Sequence, residues 1–369
     1  MNLPPFKLER YFAKYEFNTE FLLCSSDCEA MSVADLLAFE DGAAEKFQQV
    51  WLGYTESQGS PTLRAEICKL YETIEPDEIL VHTGAGEAIF LFMFAAFQPG
   101  DHVIVHSPGY QSLAEVARAA GCNVSPWQAR EEKNWALDLE ELRQLMRTKT
   151  KAIIINTPHN PTGYLMSRED YDAIHQFAQV NNLLVFSDEV YRESEHESAM
   201  RLPAGCDYGD HAVSLGVTSK TYGLAGLRIG WIATKNRKIY EKMASLKDYT
   251  TICNSAPSEF LAEVAMRNRK KLSERNINII KRNLTVIEEL FARYSSRFHW
   301  VRPQAGSMAF PRYLGGSVED FCDQLVRIAG VLLLPGSVYD DSNNHFRLGL
   351  GRKNLPQAVE RLDEFLSKL

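Results

Sequence analysis

Lys220 and Arg228 stand eight residues apart in VSLGVTSKTYGLAGLRIGW, among small and apolar residues. A lysine is seldom buried unless it is paired or chemically used. Desolvation lowers the pKa of its amine, and that is what an imine-forming lysine requires. Arg228 follows the tight GLAG turn and can bring a fork of donors to a phosphate. Asp188, in SDEVYRE, ends another apolar run; taken alone it also reads as a helix N-cap or a surface acid.

Three further loops carry groups of the same kind. HTGAGEAIF follows a strand-like run and opens a helix, and its small residues Gly84, Ala85 and Gly86 let backbone N–H groups approach an anion. It imitates a dinucleotide fingerprint, but Ile89 fills the third glycine position and HVIVHSP ends without the acid that would hold a ribose. NTPHNPTG fixes two amides, Asn156 and Asn160, in a stiff turn, and SPGY supplies Tyr110, which also reads as a buried aromatic. An imine-forming lysine with an acid for a ring nitrogen is the pair that pyridoxal phosphate needs.

The elements that must position these groups alternate in type. From about residue 60, helical stretches (61–74, from Gly86, YQSLAEVARAAG, from Asp138, from Ser167) interleave with strand-like runs. Those runs are EILVHTG, HVIVHSP, a stretch around Val124, KAIIINTP, LLVFSDE, AVSLGVT and RIGWIAT. This is the pattern of an α/β fold with a mainly parallel sheet covered on both faces. In such a sheet ligands bind beyond the carboxyl ends of the strands. After residue 236 long helical segments lead to a C-terminal α+β unit with strands FHWVRP, SMAFPRY, VLLLPG and HFRLGLG. A net charge of −8 leaves no basic footprint for nucleic acid. The seven scattered cysteines include one C-x₃-C and no second pair, so no metal site is expected, and reduced thiols in the cytoplasm are. Neither an export signal nor a membrane-spanning run is seen.

Together the motifs YTESQGSPTLR, GAGEAIF, SPGY, NTPHNPTG, SDEVY, SKTYGLAGLRIGW and FRLGLG, in order over nearly the whole chain, resemble the class I/II aminotransferases of pyridoxal-phosphate fold type I, the aspartate aminotransferase-like family. The resemblance implies a large cofactor domain at 46–270 and a small domain formed by 1–45 and 271–369. It implies that Lys220 forms the imine with pyridoxal 5'-phosphate and that Asp188 pairs with the ring nitrogen. Tyr191 and Asn160 would hold the ring hydroxyl and Tyr110 would stack on the ring. Gly84, Ala85, Gly86, Ser219 and Arg228 would cradle the phosphate, Tyr54 would reach the phosphate of a neighbouring subunit in a homodimer, and Arg347 would clamp the substrate carboxylate. The substrates implied are an amino acid and a 2-oxo acid. One position departs: the family's serine or threonine three residues before the lysine is Val217, with Thr218 as the nearest substitute.

The N-terminal segment PPFKLERYFAKYEFNTEFLLCSSDCEAM is similar to a subgroup that includes capreomycidine synthase, which cyclises a hydroxylated arginine. Leu8, Phe12 and Tyr15 form a helical stripe flanked by Glu9 and Glu16, with Asp27 and Glu29 beyond. In the family this segment folds over the entrance, and acids such as Glu9 and Asp27 there would suit a cationic side chain. They also read as a solvated helix face balanced by Lys7, Arg10 and Lys14. Transamination is the expected reaction, with arginine-type cyclisation or elimination as the second. A nicotinamide oxidoreductase lacks its ribose acid here. An aminotransferase-like DNA regulator would need an added domain, for which this chain has no room.

Overall fold

The computed structural model describes residues 2–369. Its centre is a seven-stranded sheet of β1 (Ile79–His82), β2 (His102–Ser107), β3 (Asn123–Gln128), β4 (Thr150–Asn156), β5 (Leu184–Asp188), β6 (Ala212–Val217) and β7 (Gly230–Ala233). The spatial order is β1-β7-β6-β5-β4-β2-β3. Neighbours from β3 through β6 are parallel, while β7 runs antiparallel to both β6 and β1. The expected fold type, a mainly parallel sheet flanked by helices, is the one observed.

Alternation along β4 explains why the sheet is covered on both faces. Ala152 and Ile154 pack into one apolar core, and Ile153 and Ile155 into the other. A strand with both faces buried reads as a continuous apolar run, as KAIII does. β7 matters for a different reason. Being antiparallel, it starts at the end of the sheet where β4, β5 and β6 finish, so Arg228 arrives there beside Lys220 and Asp188. Gly230, its first residue, lies against the turn after β1. A Cβ at Gly230 would stand 2.7 Å from the Gly84 carbonyl carbon and 2.8 Å from Ala85 N.

Several helices begin where the sequence places a cap: Ser60, Asp138, Ser167 and Ser317 each accept a backbone N–H of the first turn. Two boundaries differ from expectation. The helix expected over 61–74 stops at Cys68, and the Asp207 carboxylate takes the N–H groups of Glu72 and Thr73 at 3.0 and 2.8 Å. The helix expected from Gly86 starts at Gly84. In the C-terminal unit the strands are shorter than the apolar runs. SMAFPRY splits into Met308–Ala309 and Arg312–Tyr313 around Pro311, which has no N–H to give.

The C-terminal unit has its own apolar core, to which Leu23 and Cys28 of the N-terminal segment belong. That segment crosses from one unit to the other. Gly349 N donates to Leu23 O and Glu29 N donates to Gly351 O, both at 2.9 Å. The segment lies so close that a Cβ on Gly349 would run into Ser25 O, and one on Gly351 would stand 2.5 Å from Asp27 O.

Gly230→Ala should lower stability by about 1–3 kcal/mol, because backbone rather than a flexible side chain has to yield. Urea unfolding against Gly226→Ala, where an added Cβ meets nothing within 4 Å, checks this; equal midpoints for the two variants would contradict it.

Candidate active site

The carboxyl ends of β4, β5 and β6, the turn after β1 and the N-terminal segment surround a cavity of about 410 Å³. Its floor is built around Asp188. Asn156 Nδ2 donates to Asp188 O at 2.9 Å, and Asn156 Oδ1 accepts from Asn160 N at 2.7 Å. Asn156 is thus a brace that locks the NTPHNPTG turn to the end of β5. Burial pushes the Asp188 carboxyl up to about 7, against the pull of the Val190 N–H and of Lys220. The Tyr191 hydroxyl is buried with no hydrogen-bond partner among the described residues. Tyr110 faces the cavity with its ring centroid 5.2 Å from that of Phe6, and burial pushes its hydroxyl up to about 12.

One end of the cavity is formed by Ala85, Gly86, Ser219 and Arg228. Gly84, at φ +81°, opens a helix of 13 residues whose first N–H groups have no intrahelical acceptor. The Ser219 hydroxyl is buried and also has no partner among the described residues. Val217 lines this end, and Thr218 does not replace the missing hydroxyl: it turns into the fold and donates to Ile229 O at 3.1 Å.

At the other end Arg347 is 1% exposed. Its Nε donates to Cys24 O at 2.9 Å, and its Nη1 donates to Tyr339 OH at 2.5 Å and Asn160 Oδ1 at 3.3 Å. Nη2 and the Asn160 Nδ2 have no protein acceptor among the described residues. Lys220 lies between the two ends and donates to Ser26 Oγ at 3.0 Å. Burial lowers its pKa; Asp27, Asp188 and Glu9 act against that, and Arg347 adds to it.

The roof is the helix Lys7–Tyr15 and the residues after it. Leu8, Glu9, Phe12, Glu16 and Asp27 all line the cavity. Lys7 pairs with Asp340, and Tyr11 OH donates to Leu333 O at 2.8 Å, so the helix is tied to the C-terminal unit. Asp27 pairs with Arg352 at 2.9 Å. The carboxylates of Glu9 and Glu16 have no ion pair or hydrogen bond among the described residues. Among the described residues none of Lys7, Arg10 and Lys14 forms an ion pair with either acid; Lys7 pairs with Asp340, and Lys14 stands 4.5 Å from the Tyr15 ring. Burial, with Glu9 and Asp27 nearby, raises the Glu16 pKa against the pull of Arg352.

Of the residues singled out from sequence, Tyr54 is not at this cavity; it is 90% exposed. Ser26 and Tyr339 were missed. Ser26 lies in the segment CSSDCE, where nothing in composition or periodicity marks it, and Tyr339 ends a single 3₁₀ turn, Gly336–Tyr339, too short to show a period.

The family model for aminotransferase class I and II matches residues 21–362. The chain belongs to this family. It is similar to a PLP-dependent aminotransferase from Streptococcus suis 89-1591, at 32% identity, a TM-score of 0.94 and coverage of 100% of this chain and 99% of the other. Capreomycidine synthase of Streptomyces vinaceus is 27% identical over 99% of this chain and 94% of its own length. The aspartate aminotransferase of Thermotoga maritima is 29% identical over 86% and 82%. The protein is a pyridoxal 5'-phosphate-dependent aminotransferase, and its substrates are an amino acid and a 2-oxo acid. The residues present fit that cofactor: orphaned hydroxyls at Tyr191 and Ser219, open N–H groups at a helix start, and a buried acid opposite a lysine. Among the described residues no helix is long and apolar enough to cross a membrane.

A pH test follows from Asp188. In the folded, cofactor-free aminotransferase it holds a proton up to about pH 7, against 3.8 for an unperturbed aspartate. The folded chain therefore binds more protons than the unfolded one within that window, and stability falls as pH rises through it. Asp188→Asn removes this loss. Its advantage in urea midpoint over the unchanged chain should grow from pH 4 to pH 7 and level off above; an advantage independent of pH would contradict the burial account.

Proposed function

We propose that Lys220, Asp188 and Arg347 carry the transamination, because an amine, a buried acid and a guanidinium converge on one cavity from three parts of the chain. Arg347 Nη2 and Asn160 Nδ2 are the donors left for a substrate carboxylate, which fixes the Cα side of the substrate toward Lys220. The clamp expected of Arg347 is thus shared with Asn160, since Arg347 Nε and Nη1 already have acceptors. Ala85, Gly86, Ser219 and Arg228 hold the cofactor phosphate beside Gly84. Tyr191 and Asn160 would hold the ring hydroxyl, and Tyr110 would cover the ring.

Bound there, pyridoxal 5'-phosphate supplies an aldehyde that exchanges amines and a ring that takes up the electron pair left at the substrate Cα. Lys220 does the proton work. Its lowered pKa makes the neutral amine more available near neutrality, so it can accept the Cα proton and later return one. Asp188, beside a cationic ring nitrogen, is driven back to its ionised form and holds that charge in place. Leu8 and Phe12 of the roof keep water from the reacting carbon.

We also propose a cytoplasmic homodimer, with the exposed group Trp51, Leu52, Tyr54, Tyr249 and Ile252 as the shared face. On this reading Tyr54 reaches the partner's phosphate. All seven cysteines are free, which agrees with a reducing compartment.

A second reading is favoured by one observation: the unpaired carboxylates of Glu9 and Glu16 at the cavity mouth. They suit a substrate with a cationic side chain, and with the likeness to capreomycidine synthase they support cyclisation or elimination on a hydroxylated arginine-type substrate.

Lys220→Ala should lose both the visible imine absorption and all turnover; retained turnover would end the assignment. Glu9→Gln and Glu16→Gln should raise KM for arginine about tenfold and leave KM for alanine unchanged. Equal effects on both substrates would remove the acids from specificity. Product masses separate the two reactions: a 2-oxo acid marks transamination, and loss of water with the amino group retained marks cyclisation or elimination.

A further inference from the structure

Ser26 contributes a hydroxyl to the cavity that none of the roles above uses. It is 8% exposed and accepts the Lys220 Nζ hydrogen bond at 3.0 Å, across 194 positions of sequence. It is the amine's only hydrogen-bond partner among the described residues.

The backbone around Ser26 is fixed without help from that side chain. Ser307 Oγ donates to Ser26 O at 2.8 Å, and Cys28 N donates to Lys220 O at 3.4 Å. Cys24 O accepts from Arg347, Asp27 is held by Arg352, and Gly349 lies against Ser25. A main chain held this firmly presents the hydroxyl at one place. The lysine stem, by contrast, has four rotatable carbons and no fixed end of its own. The buried hydroxyl of Tyr191 stands close enough that the Ser26 side chain opposes the rise that burial gives its pKa.

We propose that Ser26 is a positioning residue for the proton transfer at Cα: it holds the freed Lys220 amine in one rotamer and favours its protonated form. This rests on the proposed role of Lys220. An amine that has just taken the Cα proton is an ammonium on a part-buried side chain, and such a group is favoured by a nearby acceptor. A hydrogen bond from the charged form is stronger than one from the neutral form, so Ser26 raises the amine's proton affinity against burial. Without the hydroxyl the amine samples several rotamers, and each turnover waits for the one over Cα.

The test has two independent readouts. In the cofactor-free protein, Lys220 is labelled with trace acetic anhydride across pH and quantified by mass spectrometry. Ser26→Ala should shift its titration down by about one pH unit, the worth of a hydrogen bond to a charged group, and Ser26→Thr should restore most of it. In the holoenzyme, Ser26→Ala should lower kcat about tenfold with KM for the amino acid unchanged. The isotope effect from Cα deuterium should grow, and Ser26→Thr should recover. An unshifted titration with an unchanged kcat and isotope effect overturns the proposal, as does a threonine variant no better than alanine. The labelling does not depend on turnover, so it judges Ser26 even if Lys220→Ala were to remain active.

Discussion

Two cations, Lys220 and Arg347, have to be kept at one cavity with much of their surface withdrawn from solvent, and much of the surrounding structure answers to that cost. Removing a charge from water is expensive unless it finds acceptors or a partner. Arg347 receives a carbonyl, a hydroxyl and an amide oxygen, which cover most of its fork. Lys220 receives one hydroxyl and the more distant fields of Asp27, Asp188 and Glu9. The difference suits their tasks. The arginine must remain charged and stationary, whereas the lysine must lose and regain a proton, so its environment is left closer to balance. Asp188 completes the arrangement. Its own burial makes it a weak anion, and a cation placed beside it is what returns it to the ionised state.

The sheet was largely legible in the sequence because all its strands but β3 bury both faces and β1 to β4 each lead on to a helix, so period and length agree. Asp188, Asn160 and Lys220 could be found because they stand at strand ends, where an α/β sheet presents its ligands. Arg228 needed one thing more, the antiparallel course of β7, which brings the start of that strand to the same rim. Where local pattern misled, a distant group had intervened. The second half of the segment 61–74 has helical periodicity, yet Asp207 captures its N–H groups and holds it as a turn. The C-terminal apolar runs read as longer strands than they form, because most of their residues fill a core rather than pair.

Within the site, what could not be read was anything that depends on contact across the whole chain. Ser26 meets Lys220, and Tyr339 joins Asn160 to Arg347, through separations that no periodicity encodes. The orientation of Glu9 and Glu16 was open for the same reason. A helix with acids on one flank reads alike whether the flank faces water or a cavity, and only the docking of the roof onto Leu333 and Asp340 decides it. Val217 shows the reverse case: the substitution was visible, but that Thr218 points inward to Ile229 was not.

The glycines at 349 and 351 set how near the N-terminal segment can lie to the last strand, and through it how far Ser25, Ser26 and Asp27 extend toward the lysine. Neither glycine is among the residues that line the cavity. Catalytic geometry in this enzyme is thus governed partly by places that hold no side chain, more than three hundred residues downstream of the groups they steer. Attempts to retune substrate preference by swapping only the visible walls will work against a spacing fixed elsewhere, and a variant library that includes those two silent sites samples a dimension the walls alone do not contain.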